Sequence, residues 1–294
     1  MKLPYSLLAL DVDGTLMDSR NELPEANRAA LHRAHAKGLR ICLCTGRSLT
    51  EAQAVLDALE LDLDAGIFVF GAVVTDLTNR QTISRSPLSV ELAEQLVAYF
   101  SARGYPLLVL YDRSEAGFDY CYVKGERNPS VYERWLSVTP TQVRRCDSWQ
   151  AELPLPIRIG VIEAPDCISD TVAALRRQFP PDLMKFNAIY APNYGVHVVE
   201  CFAPQVNKWY GITRLTAAWR ISDSRVITLG DDVNDVEMIA RAGLGVAMGN
   251  AVPAVKAVCR REVRSNDECG VAHLIEDLLS GKLPAPVADT TGPA

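Results

Sequence analysis

The stretch Leu7-Leu-Ala-Leu-Asp11-Val-Asp13-Gly-Thr-Leu16 decides how this chain is read. A short apolar run ends in two carboxylates two residues apart, with Gly14 and Thr15 directly after. An apolar run bounded by a glycine turn is the pattern of a strand buried on both faces in a parallel sheet. Such sheets bind ligands beyond the carboxyl ends of their strands, which is where Asp11 and Asp13 would stand. If the backbone stays extended through Asp13, side-chain alternation points both carboxylates the same way, about 6 to 7 Å apart. Two anions so close repel unless a cation lies between them. Asp-x-Asp-Gly can also be a plain turn, because Asp and Gly favour turns for local reasons. An EF-hand calcium loop fits poorly: Leu16 and Met17 follow where more oxygen ligands are needed, and the preceding segment reads as strand, not helix.

Outward from this stretch, strand and helix patterns alternate. Residues 24–37 have helical spacing and Gly38 stops them. Leu39-Arg-Ile-Cys-Leu-Cys44 reads as a second strand ending in Thr45-Gly46-Arg47, residues 48–59 as a helix, and residues 66–70 as a third strand. The alternation predicts an α/β fold, a Rossmann-like doubly wound parallel sheet with helices on both faces. From about residue 82 the pattern changes. A helix at 90–103, strands at 107–111, at 157–163 and within 184–200, and helical stretches near 130–136 and 166–179 predict an inserted α+β layer. The parallel pattern then resumes with a helix at 209–220, a strand at 225–229, the loop Gly230-Asp-Asp-Val-Asn-Asp235, a helix at 236–242 and a strand at 245–248. The expected domains are a core from residues 1–82 and 200–280 and an inserted α+β cap at 83–199. A Pro-, Ala- and Thr-rich tail at 281–294 is expected to fray.

The chain has 294 residues, 48% of them hydrophobic and 22% charged, as in ordinary globular proteins long enough to bury roughly three quarters of their unfolded surface. A net charge of −6 without a basic run argues against a nucleic-acid or anionic-membrane surface, though a small anion could enter a locally basic pocket. The N-terminal apolar stretch is brief, interrupted by Pro4 and ended by Asp11, so neither a signal peptide nor a membrane span is expected, and the cytoplasm is the default. The eight cysteines, at 42, 44, 121, 146, 167, 201, 259 and 269, form no Cys-x-x-Cys pair and read as small buried residues. Surface or packing roles are expected of the four histidines.

Thr45-Gly-Arg alone is a strand-to-helix turn, Lys208 alone a solvated lysine, and Gly230 to Asp235 alone an acidic turn-rich loop. Together with Asp11-Val-Asp13, in this order and at strand ends, they resemble the haloacid dehalogenase superfamily of phosphotransferases. Gly230 to Met238, in the form Gly-Asp-x-x-Asn-Asp-x-x-Met, and Gly245-Val-Ala-Met-Gly-Asn-Ala251 resemble its Cof-type branch. The resemblance spans nearly the whole chain. It implies that Asp11 attacks phosphorus and becomes an aspartyl phosphate, while Asp13 protonates the leaving alkoxide and then activates water. It implies a phosphate held by Mg2+, Lys208, the Thr45 hydroxyl, the backbone N–H groups of Val12 and Gly46, and Asn234. Asp231 would complete the Mg2+ site with a side-chain oxygen of Asp11 and the backbone carbonyl of Asp13, and Asp235 would hold Lys208 or a metal-bound water. Asp232, next to Asp231, is not the ligand in the family pattern. P-type ATPases carry Thr where Asp13 stands, so Asp13 implies fast hydrolysis or transfer.

The expected activity is therefore Mg2+-dependent hydrolysis of a small phosphorylated metabolite, with a sugar phosphate one candidate. A phosphomutase sharing the intermediate, and a phosphate-binding regulatory module without turnover, stay open. The inserted block occupies the place of the Cof-type cap, which closes over the site and contacts the organic part of the substrate. Arg113, Lys124, Arg127, Arg158, Lys185 and His197 are its candidate specificity residues. Two positions depart from the family pattern. Phe70-Gly-Ala stands where Asn-Gly-Ala is usual, which puts substrate orientation in doubt, and Trp209 follows Lys208 where a small residue is common. The indole could narrow the entrance or pack in the helix. The sequence does not give the oligomeric state.

Overall fold

The computed structural model describes residues 3–138, 140–149, 154–191 and 194–286. They form two compact units, one from the segments up to Ser84 and from Asn207 onward, the other from Arg85–Val206. In chain order the first segment supplies β1 (Leu7–Leu10), β2 (Arg40–Cys44), β3 (Ala65–Phe68), β4 (Val73–Asp76) and β5 (Gln81–Arg85). The insert supplies β6 (Leu107–Leu110), β7 (Tyr120–Val123), β8 (Val143–Cys146), β9 (Arg158–Glu163), β10 (Lys185–Ala191) and β11 (Val196–Phe202), and the last segment β12 (Val226–Gly230), β13 (Leu244–Ala247) and β14 (Arg261–Glu262).

The first unit is built on an eight-stranded sheet in the order β14-β13-β12-β1-β2-β3-β4-β5. Neighbours from β14 to β3 are parallel, and β4 returns antiparallel onto β3. Every residue of β1 is buried, as a strand covered on both faces requires. Cys42 and Cys44 are fully buried on β2, and desolvation raises both thiols, leaving them as small apolar groups. The helix Glu25–Ala36 packs on Gly270–Leu279, and Lys208–Trp219 packs on Val236–Arg241. From β1 the chain winds through β2 to β3 in one direction, and from β12 through β13 to β14 in the other. The crevice beyond the carboxyl ends of β1 and β12 is thus the switch point of a doubly wound α/β sheet, where ligands bind.

The strand expected at 66–70 stops at Phe68, because Val69 and Phe70 take φ angles of 51° and 55° and turn the chain back into β4. Non-glycine residues rarely adopt that region, and a β-branched valine does so under strain. Residues 287–294 of the expected tail lie outside the described residues. Ahead of them Leu283 is buried and Tyr5 Oη donates to the carbonyl of Pro284 at 2.9 Å.

The second unit has a six-stranded sheet in the order β10-β11-β9-β6-β7-β8, antiparallel except between β7 and β8. Helices Val90–Ser101 and Ile168–Gln178 bring Leu92, Leu96, Phe100 and Leu175 into one core with Val109, Ile159, Val161 and Val199 of the sheet. Among the described residues no helix is long and apolar enough to cross a membrane.

Candidate active site

The site begins where the β1 ladder ends. The Asp11 N–H still donates to the Leu229 carbonyl of β12 at 3.0 Å, which fixes the Asp11 backbone against the neighbouring strand. The chain then makes a five-residue turn, Val12–Leu16, closed by the Met17 N–H on the Val12 carbonyl at 3.0 Å. Gly14 sits in it at φ +78°, and a Cβ there would collide with the Asp231 carboxylate, so both conformation and space demand glycine. Thr15 Oγ1 donates to Asp231 Oδ1 at 2.8 Å, joining this turn to the loop after β12.

Asp235, fully buried, organises that loop. Its Oδ2 accepts the N–H groups of Asp231 at 3.0 Å and Asp232 at 3.1 Å, and its Oδ1 accepts from Lys208 Nζ at 2.6 Å. The same Nζ donates to Asp11 Oδ1 at 2.6 Å. Lys208 is the first residue of its helix, which Asn207 caps by accepting from the Tyr210 N–H at 2.7 Å. Only 1% of Lys208 is exposed, so it is a buried counter-ion bound to two carboxylates, not a solvated lysine.

Asp11, Asp231 and Asp235 each offer a carboxylate oxygen, all within 4.8 Å of one another. One ammonium does not balance three such carboxylates. Burial pushes the Asp11 carboxyl well above the usual range, with Asp235 and Asp231 adding to the shift and Lys208 opposing it. Asp231 is pushed up to about 6, chiefly by burial, with Asp235 adding and the Thr15 hydrogen bond opposing. Burial alone would lower the Lys208 ammonium, but Asp11 and Asp235 outweigh it and hold the group protonated. Asn234 Oδ1 is buried beside this cluster in sequence with no donor in reach. Crowded oxygens, surplus negative charge and an unmet acceptor fit a hard divalent cation with part of its water shell.

Asp11 and Asp13 do not share a counter-ion as the sequence alone suggests. Asp11 is drawn inward onto Lys208. The Asp13 side chain is 55% exposed and both its oxygens are held by Arg47, through Nε at 3.0 Å and through Nη2. Arg47 Nη2 also lies 3.3 Å from Asn21 Oδ1. Thr45 is fully buried just past β2, and its Oγ1 accepts from the Arg47 N–H at 3.1 Å, which leaves the hydroxyl proton to be donated elsewhere. Gly46 lies so close under the Phe70 ring that a Cβ would overlap it. Phe70 is 7% exposed, and Trp209 is buried in the sheet core, so packing accounts for the indole. Val12 is buried in the turn. Asp232 is exposed, with Oδ1 accepting from the Val233 N–H at 2.7 Å.

Three asparagines to which the sequence reading gave no role, Asn250 among them although it stands in the quoted Gly245 to Ala251 motif, hold carbonyls of the first turn and of Met17 after it. Asn27 donates to Leu16 at 3.1 Å, Asn250 to Gly14 at 2.8 Å and Asn266 to Met17 at 3.0 Å. Within the insert, Arg113 pairs with Asp119, Lys124 with Asp147, Arg127 with Glu163 and Arg158 with Glu200, while His197 lies against Tyr190.

A family model described as haloacid dehalogenase-like hydrolase matches residues 8–275, from within β1 to the helix that packs on Glu25–Ala36. The chain belongs to the haloacid dehalogenase-like hydrolases. This hydrolase is 30% identical over 282 residues to YxeH of Bacillus subtilis, whose phosphatase designation is provisional, covering 95% of this chain and all of that one. It is 27% identical to the B. subtilis 5-amino-6-(5-phospho-D-ribitylamino)uracil phosphatase YwtE, covering 94% and 98% of the two chains. Among solved structures, the HAD subclass IIB sugar phosphatase BT4131 superposes with a TM-score of 0.74 at 21% identity, covering 95% of this chain and all of that one, a likeness of fold. The hydrolase is a phosphatase of this family, an enzyme cleaving phosphoric monoesters.

Proposed function

We propose that this phosphatase uses Mg2+ and an aspartyl-phosphate intermediate to hydrolyse a small phosphorylated metabolite, a sugar phosphate or a related polyol phosphate. The observation that carries the reading is Lys208 Nζ, buried and 2.6 Å from both Asp11 and Asp235, in one cluster with Asp231. Asp11 and Asp231, with the backbone carbonyl of Asp13, are the groups proposed to hold the cation, which when bound would offset charge on the phosphoryl oxygens, while Asp235, its oxygens taken by Lys208 and two N–H groups, stands behind them. The names of YwtE and BT4131 support the substrate class.

In the proposed reaction an Asp11 oxygen attacks phosphorus in line with the ester oxygen, the P–O ester bond breaks, and the departing alkoxide takes a proton from Asp13. Water then attacks the phosphorus of the aspartyl phosphate, Asp13 takes its proton, and inorganic phosphate leaves with the Asp11 carboxylate restored. Lys208, the Thr45 hydroxyl, Asn234 and the N–H groups of Val12 and Gly46 are the donors proposed to receive the phosphoryl oxygens. Asp13 must leave one of its Arg47 hydrogen bonds to act, so Arg47 holds it until the phosphate dianion competes for the guanidinium. Arg85–Val206 is proposed to set substrate choice, because the first unit supplies every group assigned here to the phosphoryl transfer.

The test is hydrolysis of an aryl phosphate by the wild type and by Asp11→Asn, each with Mg2+ and with excess chelator. Activity that needs both Asp11 and Mg2+ is expected. Turnover by Asp11→Asn equal to wild type would overturn the nucleophile assignment, and full activity in chelator would overturn the cation.

A further inference from the structure

We propose that Asn250, backed by Asn266, is a positioning residue that sets the separation of the Asp11 turn from Asp231 and so tunes cation binding. The inference rests on the reading of this cluster as a cation site. The Asp11 N–H makes the last hydrogen bond of its ladder, but the turn from Val12 to Leu16 and the loop carrying Asp231 lie past the ends of their strands, where sheet hydrogen bonds no longer fix their spacing. The loop after β13 touches both. Its Met248 N–H donates to the Gly230 carbonyl at 3.1 Å and its Val252 N–H to the Asp231 carbonyl at 2.8 Å, fastening it along the backbone that presents Asp231.

Asn250 lies between those two anchors and sends Nδ2 to the Gly14 carbonyl at 2.8 Å. Its Oδ1 accepts from the Asn266 N–H at 3.0 Å, and Asn266 Nδ2 donates in turn to the Met17 carbonyl at 3.0 Å. Two points of the nucleophile turn, Gly14 and Met17, are therefore tied through two amides to the loop behind Asp231. Only a side chain with a donor and an acceptor at fixed separation can join Gly14 to Asn266, which is what a primary amide supplies. The Gly14 contact is the sensitive one, because its Cα already faces the Asp231 carboxylate without room for a methyl group. Asn250 is solvent-exposed and makes no part of the sheet core, so a folding role does not account for it.

Asn250→Ala removes both hydrogen bonds, and Asn250→Asp keeps the acceptor while losing the donor to Gly14. The full chain, stripped of metal, is titrated with Mg2+ by calorimetry and with Mn2+ by electron paramagnetic resonance, and its thermal unfolding is followed by circular dichroism. Both variants are expected to bind the cation about 10- to 100-fold more weakly, as loss of a group that orients metal ligands does, with the metal-free melting temperature little changed. Excess Mg2+ is expected to restore much of the turnover on an aryl phosphate, which repair of a merely unstable fold would not do. Wild-type cation affinity in Asn250→Ala would overturn the inference, as would weakened binding that only tracks a fall in melting temperature. Asp231→Asn separates the two levels. If it binds Mg2+ as the wild type does, the cation reading itself is wrong; if it loses Mg2+ while Asn250→Ala does not, only the positioning role is.

Discussion

Removing an ammonium sealed between two carboxylates, as Lys208 is between Asp11 and Asp235, leaves two buried anions facing each other with Asp231 beside them. Breaking a buried ion pair from one side typically costs about 3–5 kcal/mol. Lys208→Ala is therefore expected to lose stability on that order in chelator and to regain part of it when Mg2+ is added, both readable from urea unfolding. Asp231 supplies a pH dependence with a definite sign. Its folded value of about 6 lies above the ordinary 3.8, so the metal-free fold binds a proton that the unfolded chain releases. Through this group, metal-free stability falls as pH rises from about 4 to about 6, and is flat above. Cation binding must displace that proton, so Mg2+ affinity is expected to rise with pH up to about 6 and then level off. Calorimetry at pH 5 and pH 7 checks this, and in urea unfolding of the metal-free protein Asp231→Asn is expected to remove this group's share of the pH dependence of stability.

Placing Lys208 is the work of an element, the helix Lys208–Trp219, and of two glycines that let it approach the turn after β3. A Cβ on Gly211 would lie 2.7 Å from the Gly71 Cα, and one on Gly71, at φ +97°, would overlap the Asn207 carbonyl. Gly211→Ala is expected to cost about 1–3 kcal/mol by overpacking and to lower turnover by displacing the first helical turn, measurable as paired changes in unfolding midpoint and kcat. The strands that carry the site were legible in the sequence because β1, β2 and β12 are almost wholly buried and read as apolar runs, interrupted by Arg40 and Thr228 alone, that end at turns. Gln81–Arg85 and Val143–Cys146 were not, because their exposed or half-exposed patterns mix charge with β-branched residues and look like loop. The acidic motifs and Lys208 could be read as a set because their order and residue types are specific. The amides of Asn250 and Asn266 could not, since each acts on a carbonyl more than two hundred residues away and asparagine is common in turns. Phe70 was seen as a departure, but its packing over Gly46 depends on a left-handed backbone that no local pattern announces.

At the scale of the whole molecule, two units divide the labour in the proposed reading. Substitutions at exposed positions of Arg85–Val206, such as Lys124→Met, are expected to change the ratios of kcat/KM among phosphate esters while leaving Mg2+ affinity unchanged. Asp231→Asn should do the reverse, and a metabolite panel run beside a Mg2+ titration distinguishes the two. The interrupted connectivity also fixes an order of events during synthesis. Lys208 is made 197 positions after Asp11, and Thr15 waits 216 positions for Asp231. The insert closes its own sheet within one continuous stretch and is complete before any of these partners exists. Domains that are continuous in sequence can fold as they emerge, whereas pairings of such long range come late. A chain ending before the β12 loop thus carries Asp11 and Lys208 without Asp231 and Asp235, so the carboxylate cluster is complete only once that loop has been made.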